Sequence, residues 1–259
     1  MGLEYTIQIM RTTAISILVV LACTENVWAA PLGARVPPDA LIYVGWRGGR
    51  DMGPGYATSH FKAVLDASNL SAVFETLLPQ LVEAVEREEG HDNAVGLDLI
   101  GTLVTSSWSH PSAFYLGPLR MSDRGPLPEF AFLFEAGPDA ADLKTKLELM
   151  LTEIDLPFAM LVDHHYDVVS LATQQAAEKI VGIGGNAQAS IKADRDFQAA
   201  LKQVSAEPTA CVYVNIEAIV RMVGDMIAGA GPEAAMWPKI RDALGLDGLR
   251  RFVWTGEFH

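Results

Sequence analysis

Cysteine is nearly absent from this sequence, since Cys23 and Cys211 are the only two. Basic side chains are also scarce: 19 Lys and Arg stand against 32 Asp and Glu, for a net charge of -13. The shortage of cysteine excludes a fold built on several disulfides. The shortage of positive charge disfavours nucleic acid and anionic membrane surfaces as partners, because both are bound by clusters of Lys and Arg.

The apolar run at residues 14–22 is too short to cross a bilayer core about 30 Å thick, so we expect no transmembrane span in the mature chain. Arg11 precedes this run, polar residues follow it, and Val27-Trp28-Ala29 offers small or branched side chains to signal peptidase. This order of segments is typical of an export signal. We therefore predict a signal peptide at residues 1–29 and a mature protein exported to the periplasm or cell envelope of a bacterium.

A competing interpretation concerns Cys23. The segment 19–23, Val-Val-Leu-Ala-Cys, resembles a bacterial lipobox, in which Cys23 is lipidated and adds a lipid anchor. The alternative is that Cys23 is part of a discarded apolar core. Cleavage after Ala29 leaves 18 basic and 30 acidic side chains and only Cys211. Because Cys211 lies in an apolar run, we interpret it as a small buried hydrophobic residue.

Hydrophobic periodicity predicts an α+β fold in which antiparallel sheets have helices packed on one face. Strands are expected at 40–46, 112–116, 129–135, 159–162, 166–171, 210–214 and 250–258. Helices are expected at 59–67, 71–87, 97–107, 139–151, 174–181 and 194–204. The glycines at 182–185 follow a predicted helix and are interpreted as its C-cap.

Two stretches of the sequence repeat. Residues 208–214 resemble residues 38–44, and residues 245–249 resemble residues 96–100. The second copy has no counterpart for the strands and helices that follow in the first. We therefore expect two related halves: a first α+β repeat at 30–205 and a truncated second repeat at 206–259, packed on the first. The last strand, 250–258, is then expected to have an unpaired edge.

Residues 39–44 after Pro37-Pro38, together with residues 193–201 and 211–216, resemble the bacterial family called domain of unknown function 3352. Members of that family are exported, are often lipoprotein-like, and repeat a Pro-x-Asp-x-x-x-Tyr-Val strand entry. The resemblance covers most of residues 36–258, although Asn215 stands where the pattern has Asp. The resemblance implies an exported location and a fold. It assigns no activity, because the family has no established one.

The densest set of potential metal ligands is Asp163, His164, His165 and Asp167. Imidazole and carboxylate groups can bind a divalent transition metal. On a strand, however, successive side chains point to opposite faces, so the two histidines diverge unless a turn brings them together. The alternative interpretation of this segment is a polar hairpin tip.

A glycine-rich loop with Arg47, Gly48, Gly49 and Arg50 lies between a predicted strand and a predicted helix. Such a loop can offer N–H groups to an anion. It lacks the Lys-Ser/Thr ending of a P-loop, so an ordinary connection between two elements is the alternative. The tryptophans at 46, 108, 237 and 254 are interpreted as core or rim aromatics unless several are exposed on one face.

No motif for a catalytic residue or a cofactor stands out, so the first functional hypothesis is a non-enzymatic envelope protein. Such a protein would bind or scaffold an unknown envelope protein or small ligand through a sheet face or a groove between the halves. The alternatives are a metal-assisted hydrolase using the segment 163–165 and a carrier of an apolar ligand. Histidines clustered with carboxylates would favour the enzyme, and a large apolar cavity would favour the carrier.

Overall fold

The structure of the chain, a computed structural model, describes residues 32–49, 52–68, 91–122, 125–154, 159–165, 167–184, 186–204, 208–228 and 236–258, with Thr76, Gln80 and Arg87. The predicted signal peptide and Cys23 lie outside the described residues. Arg50 and most of the predicted helix 71–87 also lie outside them.

One antiparallel sheet of seven strands forms the centre of the described fold, with a separate two-stranded hairpin beside it. The strands are β1 (Ile42–Trp46), β2 (Ser112–Leu116), β3 (Arg120–Ser122), β4 (Gly125–Leu127), β5 (Phe130–Glu135), β6 (Met160–His165), β7 (Val168–Thr173), β8 (Ala210–Val214) and β9 (Phe252–Gly256). The order across the sheet is β6-β7-β5-β2-β1-β8-β9, and every neighbouring pair is antiparallel.

Seven α-helices lie within the described residues. They are α1 (His60–Ser68), α2 (His91–Ser109), α3 (Ala140–Glu153), α4 (Gln174–Ile183), α5 (Arg195–Leu201), α6 (Ile216–Ala228) and α7 (Trp237–Ala243). The predicted α+β class with an antiparallel sheet is therefore confirmed. Gly184, in a left-handed conformation, ends α4, as the glycine-rich run 182–185 predicted.

Helices cover both faces of the sheet, because successive side chains of each strand alternate between them. The front face carries Tyr43, Tyr115 and Tyr213, and α4 and α5 pack on it. The back face carries Phe132 and Leu171, and α2 and α3 pack on it. The expectation of helices on one face is thus corrected. The physical reason is that β5 and β7 are apolar at nearly every position, which favours burial on both sides.

The front core closes around Phe197, which is fully buried. Its ring meets Tyr43 and Tyr213 edge to face, with centroids 5.8 and 5.0 Å away. Phe197 is held there because Asp194 caps α5, its carboxylate accepting a hydrogen bond of 2.7 Å from the Phe197 N–H. Helix α5 is therefore fixed over the β1–β8 pair at the centre of the sheet.

The two tyrosines lie directly opposite each other in the pairing of β1 with β8. They also occupy equivalent positions in the two stretches of repeated sequence. Strands β2 and β9 flank this central pair on opposite sides, so a two-fold axis at Tyr43 and Tyr213 would relate β1–β2 to β8–β9. Among the described strands β5, β7 and β6 have no such counterpart. The duplication itself stays a prediction.

Strand β9 lies at one edge of the sheet and pairs with β8 alone among the described strands. Within the described ranges the last strand therefore has the unpaired edge that was predicted. The predicted boundary at residue 205 does not divide the sheet, since β8 joins β1 through a full antiparallel ladder. In the part of the chain that is described, no helix combines the length and the apolar character that crossing a membrane requires.

Candidate functional site

The back face of β1, β8 and β9 carries only apolar side chains. In the strand register Val44 lies opposite Val212, and Val212 lies opposite Trp254, so these positions form one row across three strands. Alternation of side chains along each strand then places the remaining members on the same face. The full set, here called the open patch, is Ile42, Val44, Trp46, Ala210, Val212, Val214, Phe252 and Trp254.

No member of the open patch is buried. The exposed fractions are 37% for Val44, 49% for Phe252 and 51% for Trp254. On the same face at the other end of the sheet, under α2 and α3, Val169 and Leu171 are almost fully buried. The back face therefore changes from a covered core to an exposed apolar surface between β2 and β9.

Helix α2 extends this surface. Ile100, Val104 and Trp108 recur at a spacing of four residues, which places them on one side of the helix, and all three are exposed. Trp108 stacks on Trp46 of the open patch, with ring centroids 5.7 Å apart. The stripe on α2 and the open patch are thus continuous. Trp108 and Trp254 are exposed and Trp46 is half-buried, so two of the four tryptophans contribute to an exposed surface.

Helix α6 is also incompletely covered. It is strongly amphipathic, yet none of its residues is buried. Asn215 begins it by accepting a hydrogen bond of 3.0 Å from the Ala218 N–H. A contiguous exposed apolar surface of this kind is uncommon on a protein that functions alone, and it is typical of a site for another molecule.

Two arginines precede β9, and alternation places Arg250 at the border of the open patch and Arg251 on the front face. Arg251 is held in place by ion pairs of 2.7 Å with Asp196 and 3.2 Å with Glu217. Arg250 is exposed, and only its backbone carbonyl takes part in the described hydrogen bonds. Arg250 therefore places one exposed positive charge at the border of the apolar surface.

The predicted metal ligands are not brought together. Asp163, His164 and His165 form the end of β6, and Asp167 lies in the turn of the β6–β7 hairpin, in which His165 pairs with Val168. Pairing with β7 places Asp163 and His165 on the front face, so His164 points to the back. Within the described ranges no three His, Cys, Asp or Glu side chains converge on a common point.

Asp163 and His165 instead line a cleft of about 100 Å³ beside α4, together with Arg35 and Ser170. Typical pockets for organic ligands measure roughly 300–1,000 Å³. This cleft is therefore too small for the apolar ligand that a carrier would enclose.

The glycine-rich loop has a packing role. The Arg47 N–H donates to the Thr209 carbonyl and the Gly49 N–H to the Trp108 carbonyl, so neither is available to an anion. Gly48 has a φ of +84°, and a Cβ there would lie 2.6 Å from the His110 carbonyl carbon. These residues bring the end of β1 close to the end of α2, and Arg50 lies outside the described residues.

An ion cluster around the buried carboxylate of Glu129 was not predicted. Lys179 of α4 contacts Asp39 at 2.6 Å and Glu129 at 2.7 Å, and the Glu129 side chain is fully buried. Burial, with the nearby Glu129 and Asp39 carboxylates, raises the pKa of Tyr115 well above its usual value. Sequence alone could not reveal the cluster, because its members are far apart in the chain. Cys211 is buried as predicted, and burial raises the pKa of its thiol to about 12.

The open patch was also missed as a site, although a signal was present. Residues 210–214 and 252–254 are apolar at consecutive positions, which predicts burial on both faces of a strand. Nothing in that pattern says whether a helix of the same chain or another molecule covers the second face.

The molecule is thus an α+β protein with an apolar sheet face and a neighbouring helix stripe exposed on one side. Comparison with known proteins adds no relative, because no family model matches the chain and no curated protein or solved structure is significantly similar to it.

Proposed function

We propose that this chain is an exported, non-enzymatic binding module that holds a partner protein on the open patch. The observation that carries this proposal is the exposure of Val44, Phe252 and Trp254 on one continuous apolar face. Tryptophan and phenylalanine are enriched among the residues that dominate protein interfaces. A protein partner also agrees with the acidic net charge, which disfavours nucleic acid and anionic lipid.

The cell envelope of a bacterium is the compartment that we propose, with membership of the exported family that the sequence resembles. Support comes from the segment 1–29 and from the repeated strand entries at residues 38–44 and 208–214. The signal peptide and the lipidation of Cys23 are tested together by N-terminal mass spectrometry of the mature protein. Intact residues 1–29 in the mature protein would contradict export by this signal.

Neither alternative function gains support from the described residues. The metal-assisted hydrolase requires Asp163, His164 and His165 at one point, and strand alternation separates the two histidines. The carrier requires a cavity larger than the cleft beside β6. The binding module requires an exposed surface, and the open patch supplies one.

Site-specific photo-crosslinking tests the proposal. A benzoylphenylalanine replaces Trp254 in cells that make the protein naturally, and a second strain carries it at Leu161. Leu161 is a matched control, because it is also an exposed apolar residue on an edge strand, at 45% against 51%. We expect a discrete protein adduct from position 254 and none from position 161. Equal adducts at both positions, or none at 254, would refute a binding role for the open patch.

A further inference from the structure

The two edges of the sheet differ in charge. Edge strands offer unpaired backbone groups to other chains, and proteins protect such edges with charged side chains. Strand β6 carries Asp163, His164 and His165, whereas β9 (Phe252–Gly256) has no charged residue. Of these two edges, only β9 lacks this protection against an added strand.

The backbone groups that β9 exposes follow from the ladder. The Arg47 N–H donates to the Thr209 carbonyl and the Asn215 N–H to the Leu41 carbonyl, so odd-numbered residues of β8 bond to β1. Even-numbered residues of β8 therefore face β9, because the bonding direction alternates along a strand. Their partners are the even-numbered residues of β9. Val253 and Thr255 consequently direct their N–H and C=O groups to the open edge.

The sheet itself shows what fits beside such a strand. Strand β9 is paired with β8 as β2 is paired with β1, with Val253 opposite Tyr213 and Tyr115 opposite Tyr43. On the outer side of β2 lies β5, antiparallel, with its phenylalanines 130, 132 and 134 on the back face. A strand of the same kind beside β9 would extend the open patch past Trp254 and Phe252.

The charge next to β9 indicates the direction of the added strand and the chemistry of its C-terminal end. In the β2–β5 arrangement Phe134, near the C-terminal end of β5, lies opposite Ser112, the first residue of β2. The corresponding position of a strand added to β9 lies opposite Arg250, on the back face. Arg250 is exposed, so a carboxylate at the end of the added strand would find a free cation there.

We propose that β9 binds its partner by strand addition: an extended segment of another polypeptide pairs antiparallel with β9. The segment has apolar side chains at alternate positions and a carboxylate at its C-terminal end. Backbone hydrogen bonds to Val253 and Thr255 supply affinity, and side chains over the open patch supply specificity. This inference rests on the proposed binding function and names the chemistry of the partner.

A peptide copying residues 128–136 is a suitable probe, because it contains the sequence of β5. A fluorescent copy is titrated into the secreted protein and followed by anisotropy. Two methylated peptides give a matched comparison. N-methyl groups at positions 131 and 133 remove the N–H groups that would bond to β9, and N-methyl groups at 132 and 134 lie on the far side. We expect saturable binding of the parent and the 132/134 peptide, and at least about tenfold weaker binding of the 131/133 peptide.

Two variants of the protein test the same edge. Thr255→Pro removes a backbone N–H that points to the open edge, and it leaves the hydrogen bonds between β9 and β8 in place. Thr255→Val keeps that backbone N–H and has a side chain of similar shape. We expect the proline variant alone to lose about tenfold in peptide affinity, with native circular dichroism retained in both. A peptide with Phe134→Glu, which places a carboxylate opposite Arg250, should bind more tightly than the parent, and Arg250→Glu in the protein should remove that gain.

The outcomes separate the two proposals. If Trp254 still forms its adduct but all the peptides bind equally or not at all, strand addition is refuted and the binding function survives. Loss of both the adduct and the peptide signal overturns both. A dimer in native mass spectrometry that Thr255→Pro converts to monomer also refutes the inference, because the strand beside β9 would then come from a second copy.

Discussion

The ammonium of Lys179 lies between an exposed carboxylate, Asp39, and a buried one, Glu129. A surface ion pair contributes little to stability, whereas removing one partner from a buried pair leaves an uncompensated charge in the interior. The three residues come from the turn before β1, the residue before β5 and the middle of α4. The Lys179 side chain thus joins α4 to a turn that lies 140 residues earlier in the sequence.

We predict that Lys179→Met lowers the free energy of unfolding by about 3–5 kcal/mol, because Glu129 would remain buried without its cation. Urea unfolding followed by circular dichroism measures the change. Lys62→Met is the control, since Lys62 pairs with Asp66 on an exposed helix surface and its loss should lower the stability far less. Adding Glu129→Gln to Lys179→Met should recover part of the loss. Equal losses of stability for the two lysine variants would show that the burial of Glu129 does not strengthen the effect of losing its cation.

Also at the scale of single residues, sequence reasoning correctly placed Cys211 in the core and a glycine C-cap after α4. For Asp163, His164 and His165 it offered two interpretations, metal ligands or a polar hairpin tip, and the structure places them at the end of β6 next to the turn of the β6–β7 hairpin. Polar residues next to each other suggest a turn, yet an edge strand such as β6 tolerates them because one side of it is open to solvent. The residues Asp39, Glu129 and Lys179 are brought together only by the tertiary fold, so no local pattern marks them.

At the scale of elements, two helices follow an aspartate, but only one of the two carboxylates accepts a hydrogen bond from its helix. Asp194 caps α5 through a hydrogen bond from the Phe197 N–H, whereas Asp139 at the start of α3 makes no such bond. Both were predicted to lie near helix starts from the sequence. Whether the carboxylate turns back to the first turn depends on the backbone angles before the helix, extended at Asp194 and helical at Asp139.

We predict that Asp194→Ala lowers the stability by about 1 kcal/mol and that Asp139→Ala costs less than half of that. The reason is that only the first substitution leaves a helix N–H without its side-chain acceptor. Melting temperatures and urea midpoints of both variants, measured in the same buffer, provide the test. A larger loss for Asp139→Ala than for Asp194→Ala would contradict the capping geometry.

Most elements could be predicted because their apolar periodicity is strong. The β3–β4 hairpin was missed, since residues 117–128 are rich in Pro and Gly and show no alternation. Helix α2 begins at His91, six residues before the predicted start at Leu97. Its first turn contains few apolar residues, so periodicity could not mark it.

At the scale of the whole molecule, the question is whether the two predicted halves unfold separately. The β1–β8 ladder and the contacts of Phe197 with Tyr43 and Tyr213 cross the predicted boundary at residue 205. The sequence predicted two related halves but could not say that both join one sheet, because pairing between distant strands leaves no local signal. The same limit applies to the open patch, whose exposure depends on where the helices pack.

We predict one cooperative thermal transition for the mature protein, with equal calorimetric and van't Hoff enthalpies, because the central strand pair belongs to both halves. Differential scanning calorimetry tests this. The variant Phe197→Ala should lower the single transition without splitting it, at a cost of about 3–5 kcal/mol. Two resolved transitions in the parent protein would mean that the halves are independent folding units.

The contrast between the edges β6 and β9 also bears on polymer formation. A fibre requires each copy to add at one end and accept at the other. Here the accepting edge at β9 is open, but the opposite edge carries Asp163, His164 and His165, which oppose a second strand. Growth by repeated edge-to-edge pairing of sheets therefore ends after one copy has been added. We therefore expect complexes of limited size rather than filaments from this apolar edge.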